Sequence, residues 1–257
     1  MRENSLKRKL NRKKAVLGGW ITIGNEIIVE TMAKMPLDFV VVDMEHSAIE
    51  LPQAQNLIRI VDLVGNVPLV RVGENDPALI KRVMDAGAYG VIIPMINNKS
   101  DAVKAVEAVR YPPLGRRGVG LARAQGYGIS FEKYKRSLAS QSVVILQIEH
   151  IDAVRNLKSI LSVDGVDGFI VGPYDLSGSM GRPGEFSHPS VKEALVAVMR
   201  VAKEMKAIAG IHVIPPDPNE VKLRLKQGYS LIAFSLDTLV FQRSYEKYLK
   251  DINLRRK

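Results

Sequence analysis

Three ionisable residues follow one short apolar segment of the chain. Residues 39–42 form an apolar run that leads directly into Asp43, Glu45 and His46. A run of β-branched residues without polar alternation predicts a strand that is covered on both faces, as in a parallel sheet. Because ligands of α/β proteins bind where such strands end, we expect these three residues to border an active site.

Asp43 and His46 have the residue types and the spacing of a proton-transfer pair. An imidazole beside a carboxylate suits a general base that the carboxylate orients. The alternative is a structural histidine whose hydrogen bonds are satisfied within the fold. The position at a strand end favours the catalytic interpretation, in which His46 is the base and Asp43 orients it.

Arg71 ends a second apolar segment, which the sequence predicts to be the next strand. A guanidinium group at this place is unfavourable unless it meets an anion. Its permanent charge and forked donors suit a substrate carboxylate or an enolate oxygen. The alternative is a structural ion pair with Asp43 or Glu45.

Two further carboxylates follow later apolar segments. Glu149 comes after the segment 143–148, and Asp175 follows the segment 168–171. Carboxylates from neighbouring strands suit a single divalent cation, with water and substrate oxygens completing its coordination. A helix N-cap for Asp175 and a surface ion pair for Glu149 are the alternatives.

The segment 172–187 is rich in glycine and proline, and we expect it to be an irregular loop. It begins with Gly172, Pro173, Tyr174 and Asp175. Residues of this kind can turn backbone N–H groups toward a small carboxylate. A plain turn is the alternative.

These side chains require elements that bring several strand ends together. Apolar segments alternate with segments of helical periodicity, and eight strand–helix units fit into 257 residues. Because each parallel crossover needs about 30 residues, this rhythm predicts an α/β fold, a (β/α)₈ TIM barrel whose strand ends meet at one mouth. The predicted strands are residues 18–23, 39–42, 67–72, 90–94, 143–148, 168–171, 207–212 and 231–235.

The sequence also argues against several other folds and cofactors. A doubly wound open sheet is the alternative fold, but the chain has no strand–GxGxxG–helix unit and no Walker loop. No lysine ends a predicted strand, which disfavours a Schiff base. We therefore expect no NAD, no pyridoxal phosphate and no Schiff-base lysine. His212 ends the seventh predicted strand, but no motif assigns it a role.

The composition predicts a soluble globular protein. Hydrophobic residues make up 46% and charged residues 25%, there is no cysteine, and no apolar run approaches the length of a membrane span. The amino terminus is basic without an apolar segment after it, so we expect no signal peptide and a cytoplasmic location.

The net charge of +10 is concentrated at the two ends of the chain. Residues 1–14 contain seven lysines and arginines against one acidic residue, and residues 250–257 contain four against one. A solvated face of an amphipathic helix through Leu6 and Leu10 explains the first group better than a nucleic-acid partner does. We expect residues 1–14 to be a basic tail or a short helix, and residues 15–257 to be one barrel domain.

Several separated motifs, in this order, resemble the HpcH/HpaI aldolase family of class II pyruvate aldolases, from about residue 18 to residue 237. The motifs are Val42-Asp43-Met44-Glu45-His46, Val70-Arg71-Val72, Met84-Asp85-Ala86-Gly87-Ala88, Tyr111-Pro112-Pro113-Leu114-Gly115-Arg116-Arg117-Gly118, Gln147-Ile148-Glu149 and Gly172-Pro173-Tyr174-Asp175-Leu176-Ser177.

The resemblance implies a TIM barrel in a hexamer, a dimer of trimers, whose last helix is exchanged between subunits. It implies a metal-dependent aldehyde-lyase that reversibly cleaves a 4-hydroxy-2-oxo acid to pyruvate and an aldehyde. Glu149 and Asp175 would bind Mg²⁺, Mn²⁺ or Co²⁺. Arg71 would hold the enolate oxygen, and His46, oriented by Asp43, would transfer protons directly or through a bound water.

The remaining residues inherit binding and supporting roles from the same resemblance. The substrate-binding residues would be Arg71, Gln147, Gly172, Tyr174 and Asp175, and the supporting residues would be Trp20, Glu45 and Asp85, the last near a subunit boundary.

The chain departs from the family pattern mainly on the side that would bind the aldehyde. His150 stands where the family commonly has threonine, and Tyr174 where a smaller residue is frequent. The basic tail is also unusual. Two alternatives stay open, namely a citryl-CoA-lyase-like enzyme that acts on a CoA thioester and a non-catalytic barrel that binds a 2-oxo acid.

Overall fold

Eight parallel strands close into a barrel in the computed structural model, which describes residues 2–252. Consecutive strands pair with each other, and the eighth strand pairs with the first. The (β/α)₈ prediction is therefore confirmed, and the open sheet is excluded. The strands are β1 (Val16–Ile21), β2 (Phe39–Asp43), β3 (Pro68–Arg71), β4 (Gly90–Ile93), β5 (Val143–Ile148), β6 (Gly168–Val171), β7 (Ala209–Val213) and β8 (Leu231–Phe234).

Helices follow the strands and surround the barrel. Two of the helices begin at side-chain N-caps: the side chain of Asn25 accepts hydrogen bonds from backbone N–H groups of the second helix, and Asp76 does the same for the fourth. The helices are α1 (Ser5–Asn11), α2 (Glu26–Ala33), α3 (Leu51–Val64), α4 (Pro77–Asp85), α5 (Lys99–Val109), α6 (Phe131–Gln141), α7 (Ile151–Leu161), α8 (Pro173–Ser179), α9 (Pro189–Met205), α10 (Pro218–Lys226) and α11 (Asp237–Asp251).

Strand β1 begins and ends two residues earlier than the predicted segment 18–23. The backbone N–H groups of Thr22 and Ile23 donate to the carboxylate of Asp237, 3.0 and 2.8 Å away, instead of joining the ladder. A side chain from the other end of the chain thus terminates the strand. The sequence around residues 18–23 gives no indication of this contact, so the predicted end of the strand is too late.

The alternating sides of each strand face two separate apolar layers. On β2, Val40 and Val42 pack in the layer between strands and helices, whereas Phe39 and Val41 pack inside the barrel. All four side chains are fully buried. The double burial explains why this strand is a continuous apolar run rather than an alternating pattern.

Helix α1 packs against the apolar layer inside the barrel. Leu6 and Leu10 are buried in this layer, as their spacing indicates. The expectation of a solvated basic face is wrong for Lys7, which is buried, forms an ion pair with Asp167 and donates to the carbonyl oxygen of Ser142 at 2.9 Å. Lysine stays buried here because its charge meets a carboxylate. Of the basic carboxyl-terminal group, residues 253–257 lie outside the described residues.

The two long segments after α5 and after β6 are only partly irregular. The segment after α5 contains one short 3₁₀ helix, Arg123–Gln125, and is anchored by the buried Arg117, which donates to Asp85 at 2.6 Å and to Tyr134 at 3.0 Å. The predicted loop 172–187 is wrong at its start, because residues 173–179 form α8. Proline at the first helical position suits a helix start.

Helix α11 leaves much of its apolar side uncovered. Val240, Phe241, Tyr245, Tyr248 and Leu249 are all exposed. A helix of this pattern normally buries one face against another element. None of the helices in the described chain is both long and apolar enough to cross a membrane.

Candidate active site

A cavity of about 310 Å³ opens at the carboxyl ends of the strands. Most of the predicted site residues line it, because parallel strands in a closed barrel end at the same rim. Its lining residues are Trp20, Thr22, Asp43, His46, Arg71, Gln147, Ile170, Val171, Gly172, Pro173, Tyr174, Asp175, His212, Ile214 and Leu236.

Asp43 and Arg71 form the buried centre of the site. They are register partners on β2 and β3, and the guanidinium donates from Nε at 2.9 Å and from Nη2 at 2.6 Å to the two carboxylate oxygens. Trp20 donates from Nε1 to Asp43 at 3.1 Å, and its ring lies 4.9 Å from the guanidinium carbon. Burial opposes ionisation of Asp43, but the hydrogen bonds and charge of Arg71 outweigh it and lower its pKa.

Glu45 approaches the third arm of the same guanidinium. Its Oε2 lies 3.0 Å from Nη1 of Arg71 but has no partner in hydrogen-bond geometry among residues 2–252. Burial raises the pKa of Glu45 to about 7, since the positive charge of Arg71 does not offset the burial and the repulsion from Glu149, Asp43 and Asp175. Glu45 is therefore an incompletely satisfied carboxylate at the edge of the site.

The predicted pairing of Asp43 with the imidazole of His46 is wrong. His46 contacts Asp43 through its backbone N–H, which donates at 3.3 Å, and not through its ring. The ring is 63% exposed at the rim of the cavity, and its Nε2 lies 3.7 Å from Oε2 of Glu45. Asp43 orients Arg71 instead, because the strand register turns its carboxylate toward β3.

Glu149 and Asp175 come from neighbouring strand ends, as predicted. Oε1 of Glu149 accepts the backbone N–H of Met95 at 2.6 Å, and Oε2 accepts from the side-chain amide of Gln147. Burial raises the pKa of Glu149, and these hydrogen bonds do not compensate fully, because the charge of Asp175 raises it further. A positive charge placed beside this pair would relieve the repulsion.

The donor set fits a divalent cation. Carboxylate oxygens are the ligands that Mg²⁺ and Mn²⁺ prefer. Residues 2–252 contain no group of three or more His, Cys, Asp or Glu side chains arranged for a metal, so substrate and water oxygens would supply the other positions. Gly172 keeps this space open, because a Cβ there would lie 3.1 Å from Oε2 of Glu149.

Of the remaining predicted residues, Tyr174 lies in the pocket and Asp85 lies outside it. Tyr174 lines the pocket, is 55% exposed and packs edge-on against Phe186 at 4.8 Å. Asp85 does not line the pocket of its own chain; it is the last residue of α4 and pairs with Arg117. A supporting role for Asp85 thus stays a prediction.

Sequence reasoning missed one contributor, Met95, and left another, His212, without a role. The backbone N–H of Met95, a residue with the rare φ of 53°, holds Glu149, and no residue type signals such a conformation. His212 lines the pocket and stacks on Trp20 at 4.3 Å. Its place at a strand end is the signal that could have found it.

Known proteins resemble the chain over nearly its whole length. A sequence model of HpcH/HpaI aldolase/citrate lyase matches residues 17–244. The 4-hydroxy-2-oxo-heptane-1,7-dioate aldolase of Shigella boydii serotype 18 is 34% identical over 95% of this chain and 93% of that protein. The 2-keto-3-deoxy-L-rhamnonate aldolase of Klebsiella pneumoniae subsp. pneumoniae is 31% identical over 96% of this chain and 92% of that protein.

The fold agrees with the sequence match. The crystal structure of a HpcH/HpaI aldolase/citrate lyase family protein from Burkholderia cenocepacia J2315 superposes with a TM-score of 0.93 at 31% identity, covering 98% of this chain and 100% of that chain. The family match, residues 17–244, includes Asp43, Arg71, Glu149 and Asp175. The protein therefore belongs to the HpcH/HpaI aldolase/citrate lyase family and is an enzyme of the aldehyde-lyase type.

Proposed function

We propose that the protein is a divalent-metal-dependent class II aldolase that reversibly cleaves a 4-hydroxy-2-oxo acid to pyruvate and an aldehyde. The convergence of Glu149, Asp175 and Arg71 at one mouth carries the proposal. Two carboxylates supply ligands for a cation, and the guanidinium supplies donors for an oxyanion. The aldolase relatives support the same reaction class.

Arg71 has one arm left for the substrate. Nε and Nη2 donate to Asp43, whereas Nη1 makes only an ion pair with Glu45. The keto oxygen of the substrate accepts from this arm and becomes an enolate oxygen as the carbon–carbon bond breaks. Because Asp43 and Trp20 fix the plane of the guanidinium before substrate arrives, no reorganisation is needed in the transition state.

Glu149 and Asp175 would hold the divalent cation. When bound, the cation supplies Lewis-acid polarisation of the 2-oxo acid. Gln147 donates to Glu149 and so keeps its carboxylate in place. Gln147 and Gly172 border the half of the pocket in which pyruvate binds, and the side chain of Tyr174 lines the same cavity.

His46 is the proton carrier in this scheme. Its ring is exposed at the pocket rim and has Glu45 as its nearest carboxylate. The imidazole of His46 takes the proton of the 4-hydroxyl group. The C3–C4 bond then breaks, and the electron pair of that bond remains on the pyruvate fragment as the enolate. The aldehyde leaves, and the imidazolium returns the proton to C3 to give pyruvate.

A homo-oligomer is part of the proposal. The uncovered apolar side of α11, which includes Phe241 and Tyr245, supports burial against another subunit. In the hexamer that the resemblance implies, this helix is exchanged between subunits. Sedimentation velocity should give a species several times the 28.4 kDa chain mass, and Phe241→Asp should reduce its size. A monomeric wild type would contradict this part.

The reaction is tested by pyruvate release from a panel of 4-hydroxy-2-oxo acids, coupled to lactate dehydrogenase. The protein is assayed after EDTA treatment and again with added Mg²⁺, Mn²⁺ or Co²⁺. The proposal predicts pyruvate formation that EDTA abolishes and metal restores. Release that survives EDTA would reject the metal site, and no release from any substrate with metal would favour a CoA-thioester lyase or a non-catalytic barrel.

A further inference from the structure

His212 is a polar residue of the pocket that the proposed mechanism does not use. It lies on β7 and lines the same cavity as Arg71 and Asp175. Its ring stacks on the indole of Trp20, with centroids 4.3 Å apart and planes 28° from parallel. His212 is therefore a fixed part of the wall of the pocket.

One hydrogen bond determines the tautomer of His212. Its Nε2 lies 2.9 Å from the carbonyl oxygen of Ser235. A carbonyl oxygen can only accept, so Nε2 carries the hydrogen and donates. Burial, reinforced by the charge of Arg71, lowers the pKa of His212 to about 4, and the ring is therefore neutral near pH 7. The free lone pair then lies on Nδ1.

Nδ1 of His212 is uncommitted. The ring forms its one hydrogen bond within residues 2–252 through Nε2, and Nδ1 is not among the fully buried side-chain atoms of these residues that lack a partner, so solvent can reach it. Ile214 and Leu236 flank this part of the pocket, and the hydroxyl of Thr22 donates to Asp237 at 2.6 Å. The wall near β7 and β8 thus offers a neutral acceptor among apolar groups.

The charged groups of the pocket lie at the ends of other strands. Arg71 belongs to β3, and Glu149 and Asp175 follow β5 and β6. The pyruvate half of the substrate needs these groups. The uncharged lining of the same cavity, which includes His212, Ile214 and Leu236, is left for the aldehyde half.

We propose that Nδ1 of His212 accepts a hydrogen bond from a hydroxyl group on the aldehyde half of the substrate, and so selects hydroxyaldehydes. The inference rests on the proposed aldolase function. A carboxylate or phosphate at the same place would face a lone pair and is disfavoured. The substrate class is that of 2-oxo acids with hydroxyl groups at both C4 and C5.

The geometry is less suited to other roles for His212. A general base near pH 7 needs a pKa close to that pH, and that of His212 is far lower. A purely structural role would need only the stacking on Trp20 and the hydrogen bond to Ser235, and it would leave Nδ1 unused. Replacing the ring by phenyl keeps the stacking but removes both nitrogens, and replacing it by glutamine keeps an acceptor.

The test compares two isosteric aldehydes in the synthesis direction with pyruvate and Mg²⁺. Glycolaldehyde carries a hydroxyl where propanal carries a methyl group. We expect the ratio of their kcat/KM values to fall about tenfold in His212→Phe, the effect of losing one hydrogen bond of about 1.4 kcal/mol. His212→Gln should retain a larger part of the ratio. His188→Phe, at a histidine that caps α9, is the control and should leave the ratio unchanged.

The possible outcomes distinguish a failure of the role of His212 from a failure of the aldolase function. An unchanged ratio in His212→Phe, with both aldehydes accepted, would overturn the role of His212 alone. If His212→Phe does not fold, as judged by circular dichroism, His212→Leu replaces it with the same expectation. No condensation of either aldehyde by the wild type would overturn the aldolase function and this inference with it.

Discussion

The carboxylate of Asp43 accepts two parallel hydrogen bonds from the guanidinium of Arg71, at 2.9 and 2.6 Å. The two residues are 28 positions apart in sequence and opposite each other in the β2–β3 register. The contact occupies two arms of the guanidinium and leaves the third at the pocket. Asp43 is thus a positioning residue for Arg71 rather than for His46.

Arg71→Lys should lower kcat/KM for pyruvate release about a hundredfold or more, the scale of losing one transition-state donor. Lysine keeps the charge but cannot bond both oxygens of Asp43 and still reach the substrate. Steady-state kinetics at saturating metal measure the effect. Arg155→Lys, a surface variant of the same chemistry, is the control. Equal rates in both variants would remove Arg71 from the mechanism.

Gly172→Ala should raise the concentration of Mn²⁺ needed for half-maximal activity about tenfold, the lower end for disturbing the support of a metal ligand. The new Cβ would lie 3.1 Å from Oε2 and 3.2 Å from Cβ of Glu149. Gly178→Ala, in the short helix α8 that follows Gly172, would meet no described atom within 4 Å and should leave the metal requirement unchanged. If both variants need the same concentration of Mn²⁺, Gly172 does not keep the metal site open.

Lys7→Met should lower the free energy of unfolding by about 3 kcal/mol, because it leaves Asp167 buried without its partner. Urea denaturation measures the loss. Adding Asp167→Asn should recover most of it, since the variant then buries no unpaired charge. Lys9→Met, which breaks the more exposed pair with Asp38, should cost less than about 1 kcal/mol. Similar losses for Lys7 and Lys9 would contradict the buried pair.

Glu45→Gln should stabilise EDTA-treated protein more at pH 8 than at pH 5. The pKa of Glu45 is raised to about 7 by burial. The folded state therefore holds its proton more tightly than the unfolded chain, and wild-type stability falls between about pH 4.5 and pH 7. The glutamine variant lacks this loss. Melting temperatures at both pH values test the prediction, with Glu193→Gln, at an exposed position, as the control. An equal change in melting temperature at pH 5 and pH 8 for Glu45→Gln would contradict it.

The barrel and the location of its mouth could be predicted from the sequence. Both depend on local signals, namely the apolar runs of the strands, the segments of helical periodicity between them, and polar residues at strand ends. Eight such units leave few topologies. The convergence of Arg71 and Glu149 at one rim follows from that topology alone.

The pairing of side chains within the site could not be predicted in the same way. The partner of Asp43 depends on the register between β2 and β3, and that of Glu149 on the backbone N–H of Met95. The position of the free lone pair on His212 depends on the carbonyl group of Ser235, which directly follows β8. Each contact joins residues that are distant in sequence, so spacing along the chain carries no signal for it.

The central claim is that Glu149, Asp175 and Arg71 stabilise the enolate of pyruvate, and it can be tested without knowing the aldehyde. Exchange of the methyl hydrogens of pyruvate in D₂O, followed by proton NMR with Mg²⁺, reports enolate formation directly. We predict exchange that requires the protein, stops with EDTA, resumes with Mg²⁺ and is lost in Glu149→Gln but not in the surface variant Asp152→Asn. Wild-type protein that gives no exchange with Mg²⁺, or exchange that is unaffected by EDTA, would contradict the claim.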